Sequence, residues 1–204
     1  MKEFVVLVNE NDEPQGLMEK IEAHEKALLH RAFSVFVNND KGEIMLQQRA
    51  LSKYHSPGLW TNTCCSHQRD GEQNLAAGKR RLMEEMGFET PLKELFSFVY
   101  KADMGNGLTE HEFDHVMQGE FNELPNINPE EVASWKWMLP DDIKKDIEKQ
   151  PDLYTPWFKI IFEKYYMYLS YYISSYISYY TAYYISYYIS YFKRAARARQ
   201  RANS

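Results

Sequence analysis

Two thiols, an imidazole, three guanidinium groups and four carboxylates crowd the stretch from Asn62 to Phe88, NTCCSHQRDGEQNLAAGKRRLMEEMGF. A free cysteine is most often a buried, inert thiol. Cys65, however, is read as lying in a polar loop beside His67, whereas Cys64 is expected to point the other way and pack. Asn74 is placed to cap a helix over Leu75 to Met86, with Gly87 ending it at C′. On that helix Arg81 and Glu85 are four apart and share one face. Farther on, Glu110 to Phe121 reads as a long strand. Its period of two sets Glu110, Glu112 and Asp114 on one face and His111 and His115 on the other. Thiols and carboxyls trade protons, imidazoles with carboxylates hold cations, and guanidinium groups hold anions.

From Ser66 onward the stretch nearly spells the Nudix box, in which a Gly, five residues, a Glu and seven residues precede Arg-Glu-aliphatic-x-Glu-Glu-x-Gly-aliphatic. Glu72, Arg80, Leu82, Glu84, Glu85, Gly87 and Phe88 fall in register. Ser66 replaces the first Gly, and Arg81 replaces the Glu that follows Arg80. A Nudix hydrolase uses that glutamate in its metal cluster, so Arg81 argues against diphosphate hydrolysis and for holding an anion. The front half, TNTCCSH preceded by RALSKYHSPGLW, resembles the active-site segment of the type I isopentenyl-diphosphate isomerases, which keep the Nudix fold without Nudix chemistry. The resemblance covers residues 1 to 164, with several motifs in the family's chain order.

The resemblance implies an α/β (α+β) fold, a Nudix-like mixed β-sheet sandwiched between helices. It also implies a reaction, the reversible conversion of isopentenyl to dimethylallyl diphosphate, in which one carbon gains a proton and another loses one. Cys65 and Glu112 are the implied acid/base groups, on opposite faces of the substrate. A protonated alkene is a tertiary carbocation, which an aromatic face stabilises without capturing it. Trp157, in Thr155-Pro156-Trp157, matches the family's tryptophan, and Tyr100 matches a tyrosine that hydrogen-bonds the catalytic carboxylate. By the same resemblance His24, His30, His67, Glu110 and Glu112 hold one manganese or zinc ion, a ligand mix that suits those metals over magnesium. Lys20, Arg49, Lys53 and Arg81 take the diphosphate. Glu85 and the backbone carbonyl of Cys65 hold a magnesium ion that also binds diphosphate oxygens. His55, His111 and His115 match no such role and are read as structural. With no Gly-rich dinucleotide fingerprint, neither flavin nor nicotinamide is expected.

A chain of 204 residues, 44% hydrophobic, is long enough for one domain with a real core. All 29 acidic residues precede Tyr165, with 19 of the 24 basic ones, so the body nets −10 and the remainder +5. An acidic body disfavours nucleic acid, and any anion it binds must meet a local basic cluster. Adjacent cysteines rarely bridge, and the absence of a disulfide framework fits a reducing cytoplasm. The opening MKEFVVLVNENDE holds too short an apolar run for a signal peptide and reads as a strand.

Taken in order, Phe4 to Val8 is that strand, closed by a turn over Asn11 to Pro14. Lys20 opens a polar segment holding His24 and His30. Ala32 to Val37 and Glu43 to Arg49 form a hairpin about Asn38 to Gly42. The loop Ala50 to Leu59 is long enough to be functional. Strands over Phe96 to Lys101 and Glu110 to Phe121 flank a turn at Asp103 to Gly107. A strand over Trp135 to Leu139 and a helix over Asp141 to Glu148 follow. Thr155 and Pro156 then read as the cap and first position of a last helix.

At Tyr165 the character changes. Through Phe192 there is no charge and there are 13 tyrosines, in tetrads such as YYIS, before the basic end KRAARARQRANS. Tyrosine beside basic residues suits a membrane or partner surface. Low complexity alone suits an extension with no chemical role, disordered or loosely helical. The segment is too polar to make a stable membrane span. Residues 1–164 are therefore read as the isomerase domain and 165–204 as a Tyr/Ile/Ser tail with a basic C-terminus. Two rival readings stand beside this one: a Nudix-type diphosphate hydrolase, and a membrane-associated or self-associating protein with an inactive body. Arg81 and the Cys65–His67 segment weigh against the first, and the full set of acid/base and ligand residues against the second. The oligomeric state is not legible.

Overall fold

The computed structural model describes residues 2–171 together with Ile185 and Tyr187. The chain divides into two units, Met1–Glu163 and Lys164–Ser204. The first opens with β1 (Phe4–Val8), β2 (Pro14–Glu19), α1 (Lys20–Glu25), β3 (His30–Asn38) and β4 (Ile44–Arg49). Next come β5 (Trp60–Thr61), β6 (Cys64–Ser66), α2 (Asn74–Met86), β7 (Leu92–Gly105) and β8 (Leu108–Glu120). It closes with β9 (Val132–Met138), α3 (Pro140–Lys149), a 3₁₀ turn at Pro151–Leu153 and a helix α4 over residues 156–163.

Strand β3 is the hub of the mixed sheet. Its text, HRAFSVFVN, is buried on both faces from Ala32 to Val37, as a strand covered from both sides must be. It runs parallel to β8 from His30↔Glu112 to Asn38↔Glu120. It runs antiparallel to β6, with Ser34 opposite Cys65. Beyond β8 lies β7, with Tyr100 opposite Glu112. Alternate side chains of β3 meet different helices. Phe33, Val35 and Val37 share a core with Ala77, Leu82 and Met86 of α2. Phe36, on the other face, meets Phe158 of α4 with ring centres 6.4 Å apart. Each fully buried side chain of this kind contributes about 1.5–3 kcal/mol. The expected sheet between helices is what forms.

Gly87 ends α2 for two reasons. Its φ is +72°, and its N–H reaches the Leu82 and Met83 carbonyls. A Cβ there would fall 2.1 Å from the Asn126 carbonyl oxygen.

Several local expectations are corrected. Asn74 is the first residue of α2 and not its cap, which is Gln73 without a side-chain bond. The Asn74 amide is instead engaged by Gln68, whose Nε2 donates to its Oδ1 at 3.0 Å. Thr155 does cap α4, accepting from the Phe158 N–H at 3.3 Å. Pro14 belongs to β2 and not to a turn; β2 is an edge strand, where a missing N–H costs little. Cys64–Ser66 is a strand and not a loop, because its backbone finds the ladder of β3. Strand β7 runs well past Phe96 and Lys101 at both ends, held by pairing with β8.

Of the second unit, residues 164–171, Ile185 and Tyr187 are helical. The rest of the tail, on which the reading of disorder or a loose helix falls, lies outside the described residues. No helix among the described residues is long and apolar enough to cross a membrane.

Candidate active site

The pairing register builds the site. Because β3 lies between β6 and β8, and β7 lies beyond β8, His30, Glu112 and Tyr100 fall in one row across three strands. Helix α1 adds His24, and the residue after Ser66 adds His67. The ligand atoms of His24, His30, His67 and Glu112 all lie within 4.8 Å of one another. His24 donates from Nδ1 to the Lys20 carbonyl at 2.6 Å, and His30 from Nδ1 to the Leu28 carbonyl at 2.8 Å. Each therefore turns Nε2 inward. The Nε2 of His30 is wholly buried without a hydrogen-bond partner, 3.6 Å from Glu112 Oε1. His67 Nε2 lies 3.1 Å from the same oxygen. Burial lowers the His24 imidazole and drives His67 down to about 3, so both stay neutral and can lend a lone pair. Burial opposes the charge of Glu112, but His30 and His67 outweigh it and hold the carboxyl well below its usual range. Neutral imidazoles oriented by backbone carbonyls around an ionised carboxylate, with one orphaned nitrogen, fit a transition-metal ion.

Glu110 stands outside that group of four, whereas the sequence reading placed it among the ligands. It lies on the same face of β8, and the Tyr100 hydroxyl reaches Glu112 at 2.6 Å and Glu110 at 3.0 Å. Burial and the Glu112 charge push Glu110 well above the carboxylate range.

Cys65 faces the same pocket from β6, half-buried, and burial pushes its thiol up to about 12, so it carries its proton at neutral pH. Cys64 packs into the core on the α2 side, as expected. Trp157 is 2% exposed and forms pocket wall, its indole Nε1 lacking a partner. The Arg49 guanidinium sits 5.0 Å from the centre of that ring and donates to the His55 and Ser56 carbonyls at 3.2 Å each, which pins the loop. His55 stands edge-on to the indole, ring centres 5.6 Å apart. Read from sequence as structural, it lines the pocket; burial lowers it to about 3.

Lys20, Lys53 and Arg81 also line the pocket, as does Glu85. Arg81 donates to Glu85 from Nη2 at 2.5 Å, and Gln47 donates to the other oxygen at 2.7 Å. Glu131 bridges Lys53 and Arg81, the latter at 3.2 Å. Gln47 and Glu131 escaped the sequence reading, since neither carries a motif and both reach the site only through the pairing of β4 with β9 and its lead-in. His111 and His115 stay out of the pocket. His115 bridges Glu94 at 2.5 Å and Asp12 at 3.0 Å, and His111 meets the Ala27 carbonyl.

A model of the NUDIX domain matches residues 28–158. Isopentenyl-diphosphate Delta-isomerase 2 of Photorhabdus laumondii is 51% identical over 161 residues, covering 79% of this chain and 91% of that protein. Isopentenyl-diphosphate Delta-isomerase of Pectobacterium atrosepticum is 48% identical over 160 residues, 78% of this chain and 89% of that one. Among solved structures, the Deinococcus radiodurans protein DR0079 overlays with a TM-score of 0.67 at 21% identity, covering 79% of this chain and 98% of that one, a likeness of fold.

Proposed function

This chain belongs to the Nudix family and, within it, to the isopentenyl-diphosphate Delta-isomerases, and from that premise we propose how its side chains divide the work. The enzyme interconverts isopentenyl and dimethylallyl diphosphate. The terminal CH₂ of the alkene gains a proton and becomes a methyl group. The carbon nearer the diphosphate loses one, and the double bond moves between them. Cys65 and Glu112 are the two acid/base groups, one supplying and the other removing, with roles exchanged in the reverse direction. One observation carries this assignment: a protonated thiol and a Tyr100-bound carboxylate open into a single pocket from strands on either side of β3, with a buried indole in its wall. Trp157 offers its face to the tertiary cation and excludes water, while Tyr100 holds Glu112 in position.

Lys20, Arg49, Lys53 and Arg81 bind the diphosphate. A manganese or zinc ion on His24, His30, His67 and Glu112, with Glu110 adjacent, would supply a fixed positive charge that sets the acidity of Glu112. Magnesium arriving with the diphosphate would take Glu85 and the Cys65 carbonyl and offset the phosphate charge. Two free cysteines suit a cytoplasmic setting. Residues 1–164 do the chemistry and the tail, residues 165–204, does none, so a chain ending at residue 164 keeps its turnover. Loss of turnover in that folded truncation would give the tail a role.

Proton NMR in heavy water, with isopentenyl diphosphate and magnesium, tests the assignment. The wild type is expected to give dimethylallyl diphosphate with deuterium in a methyl group, and Cys65→Ala is expected to give none. Full turnover by the variant removes Cys65 from the chemistry. Release of inorganic phosphate by the wild type makes the chain a hydrolase.

A further inference from the structure

The catalytic pocket is lined by equal numbers of basic and acidic residues. Lys20, Arg49, Lys53 and Arg81 face Glu85, Glu110, Glu112 and Glu131, four against four. The body around it nets −10. A diphosphate approaching such a protein meets repulsion from the body at a distance, which a basic entrance would offset.

A cavity of about 610 Å³ adjoins the pocket and shares Lys20, Ser66, His67 and Arg81 with it. Its walls carry Lys2, Lys20, Arg69, Arg80 and Arg81 against a single lining carboxylate, Glu3. Three of the five cations are well answered. Lys20 pairs with Glu3 at 3.0 Å, Arg80 with Glu72 at 2.7 Å, and Arg81 with Glu85 at 2.5 Å. The other two are not. The Arg69 guanidinium, with its side chain 69% exposed, pairs among the described residues with Glu84 at the long distance of 3.5 Å. Lys2 is exposed and forms no ion pair among the described residues. Phe4, 52% exposed, and Val5 give the same cavity an apolar side. The combination suits a short alkyl diphosphate, charged at one end and greasy at the other.

We propose that this cavity is an antechamber in which Lys2 and Arg69 receive the substrate's diphosphate before Lys20 and Arg81, which belong to both chambers, draw it into the catalytic pocket. Focused positive potential at a low-dielectric mouth raises local substrate concentration and on-rate by about 10- to 1,000-fold. Exposed charges act over about a Debye length, roughly 8 Å at physiological ionic strength, so the capture is short-ranged and sensitive to salt.

The proposal rests on the reading that a diphosphate enters this pocket, and turnover by the wild type checks that reading separately. Steady-state kinetics of the wild type, Lys2→Ala/Arg69→Ala and Lys2→Glu/Arg69→Glu would be compared at about 0.02 M and about 0.3 M ionic strength. At low ionic strength the alanine pair is expected to lose about tenfold in kcat/KM, the glutamate pair more, each with kcat unchanged. At high ionic strength the three should converge, and inhibition by inorganic diphosphate should weaken in the same order. Equal kcat/KM at low ionic strength, or a loss that salt does not reduce, overturns the antechamber. If the wild type itself makes no product, the substrate reading fails instead.

Discussion

Replacing Tyr100 by Phe deletes a single oxygen from a residue that is 6% exposed, and leaves the ring and its packing against Phe98 in place. That oxygen is 2.6 Å from Glu112 and 3.0 Å from Glu110, so the change strikes two buried carboxyls and none of the cations proposed to hold the diphosphate. A hydrogen bond to a charged group is worth about 1.5–3 kcal/mol, and water has little access here to replace it. If Glu112 exchanges its proton in the rate-limiting step, as proposed, the lost donor raises the barrier by up to that amount. The corresponding fall in kcat is about 10- to 150-fold. KM should move by less than about twofold, because Lys20, Arg49, Lys53 and Arg81 are untouched. The assay is initial-rate turnover in both directions, paired with thermal unfolding to show that the variant folds. A folded Tyr100→Phe enzyme with kcat within about twofold of wild type would refute the dependence of Glu112 on this hydroxyl.

Three further outcomes are expected. Purified enzyme should carry about one transition-metal ion per chain by elemental analysis, and His30→Ala should lose it together with the rise in Tm that added metal gives the wild type; full occupancy in His30→Ala would dissolve the cluster. Gly87→Ala combines a left-handed backbone with a Cβ 2.1 Å from a carbonyl oxygen, so its urea midpoint should report a loss of about 2 kcal/mol or more; an unchanged midpoint would mean that the Asn126 segment yields freely. His55 has its folded-state value lowered to about 3 from 6.5, so the unfolded chain binds the extra proton between those values. Stability contributed by neutral His55 is thus present above about pH 6.5 and lost as pH falls toward 3, and His55→Gln should flatten that limb of the stability profile; an identical limb would remove His55 as its source.

The parts legible in the sequence were those that depend on short spacing. Gly87 announced the end of α2, and alternation in β8 announced a carboxyl face, on which Glu110, Glu112 and Asp114 are all buried. His67 and Cys65 were legible because the resemblance placed them in one short segment. What stayed hidden depends on partners far along the chain. Glu131 tightens Lys53 and Arg81 from a loop with no motif, and Gln47 caps Glu85 from a strand whose text is merely polar at that point. Asn74 looked like a cap by residue type, yet its Oδ1 accepts from Gln68 and its Nδ2 donates to Glu94. The strand character of Cys64–Ser66 comes from backbone pairing with β3 and not from its side chains.

The pairing of β3 with β8 also governs when the enzyme can come into being. His24, His30 and His67 emerge early in synthesis, but the carboxylate that completes their cluster lies on a strand made later and is brought opposite His30 only when β8 docks along β3. Parallel pairing across so long a stretch of chain is slow, since the loop between must close before any contact is gained. Until β8 has left the ribosome, the growing chain is three imidazoles without a site. Completion of this cluster therefore comes late, as the consequence of a single docking event.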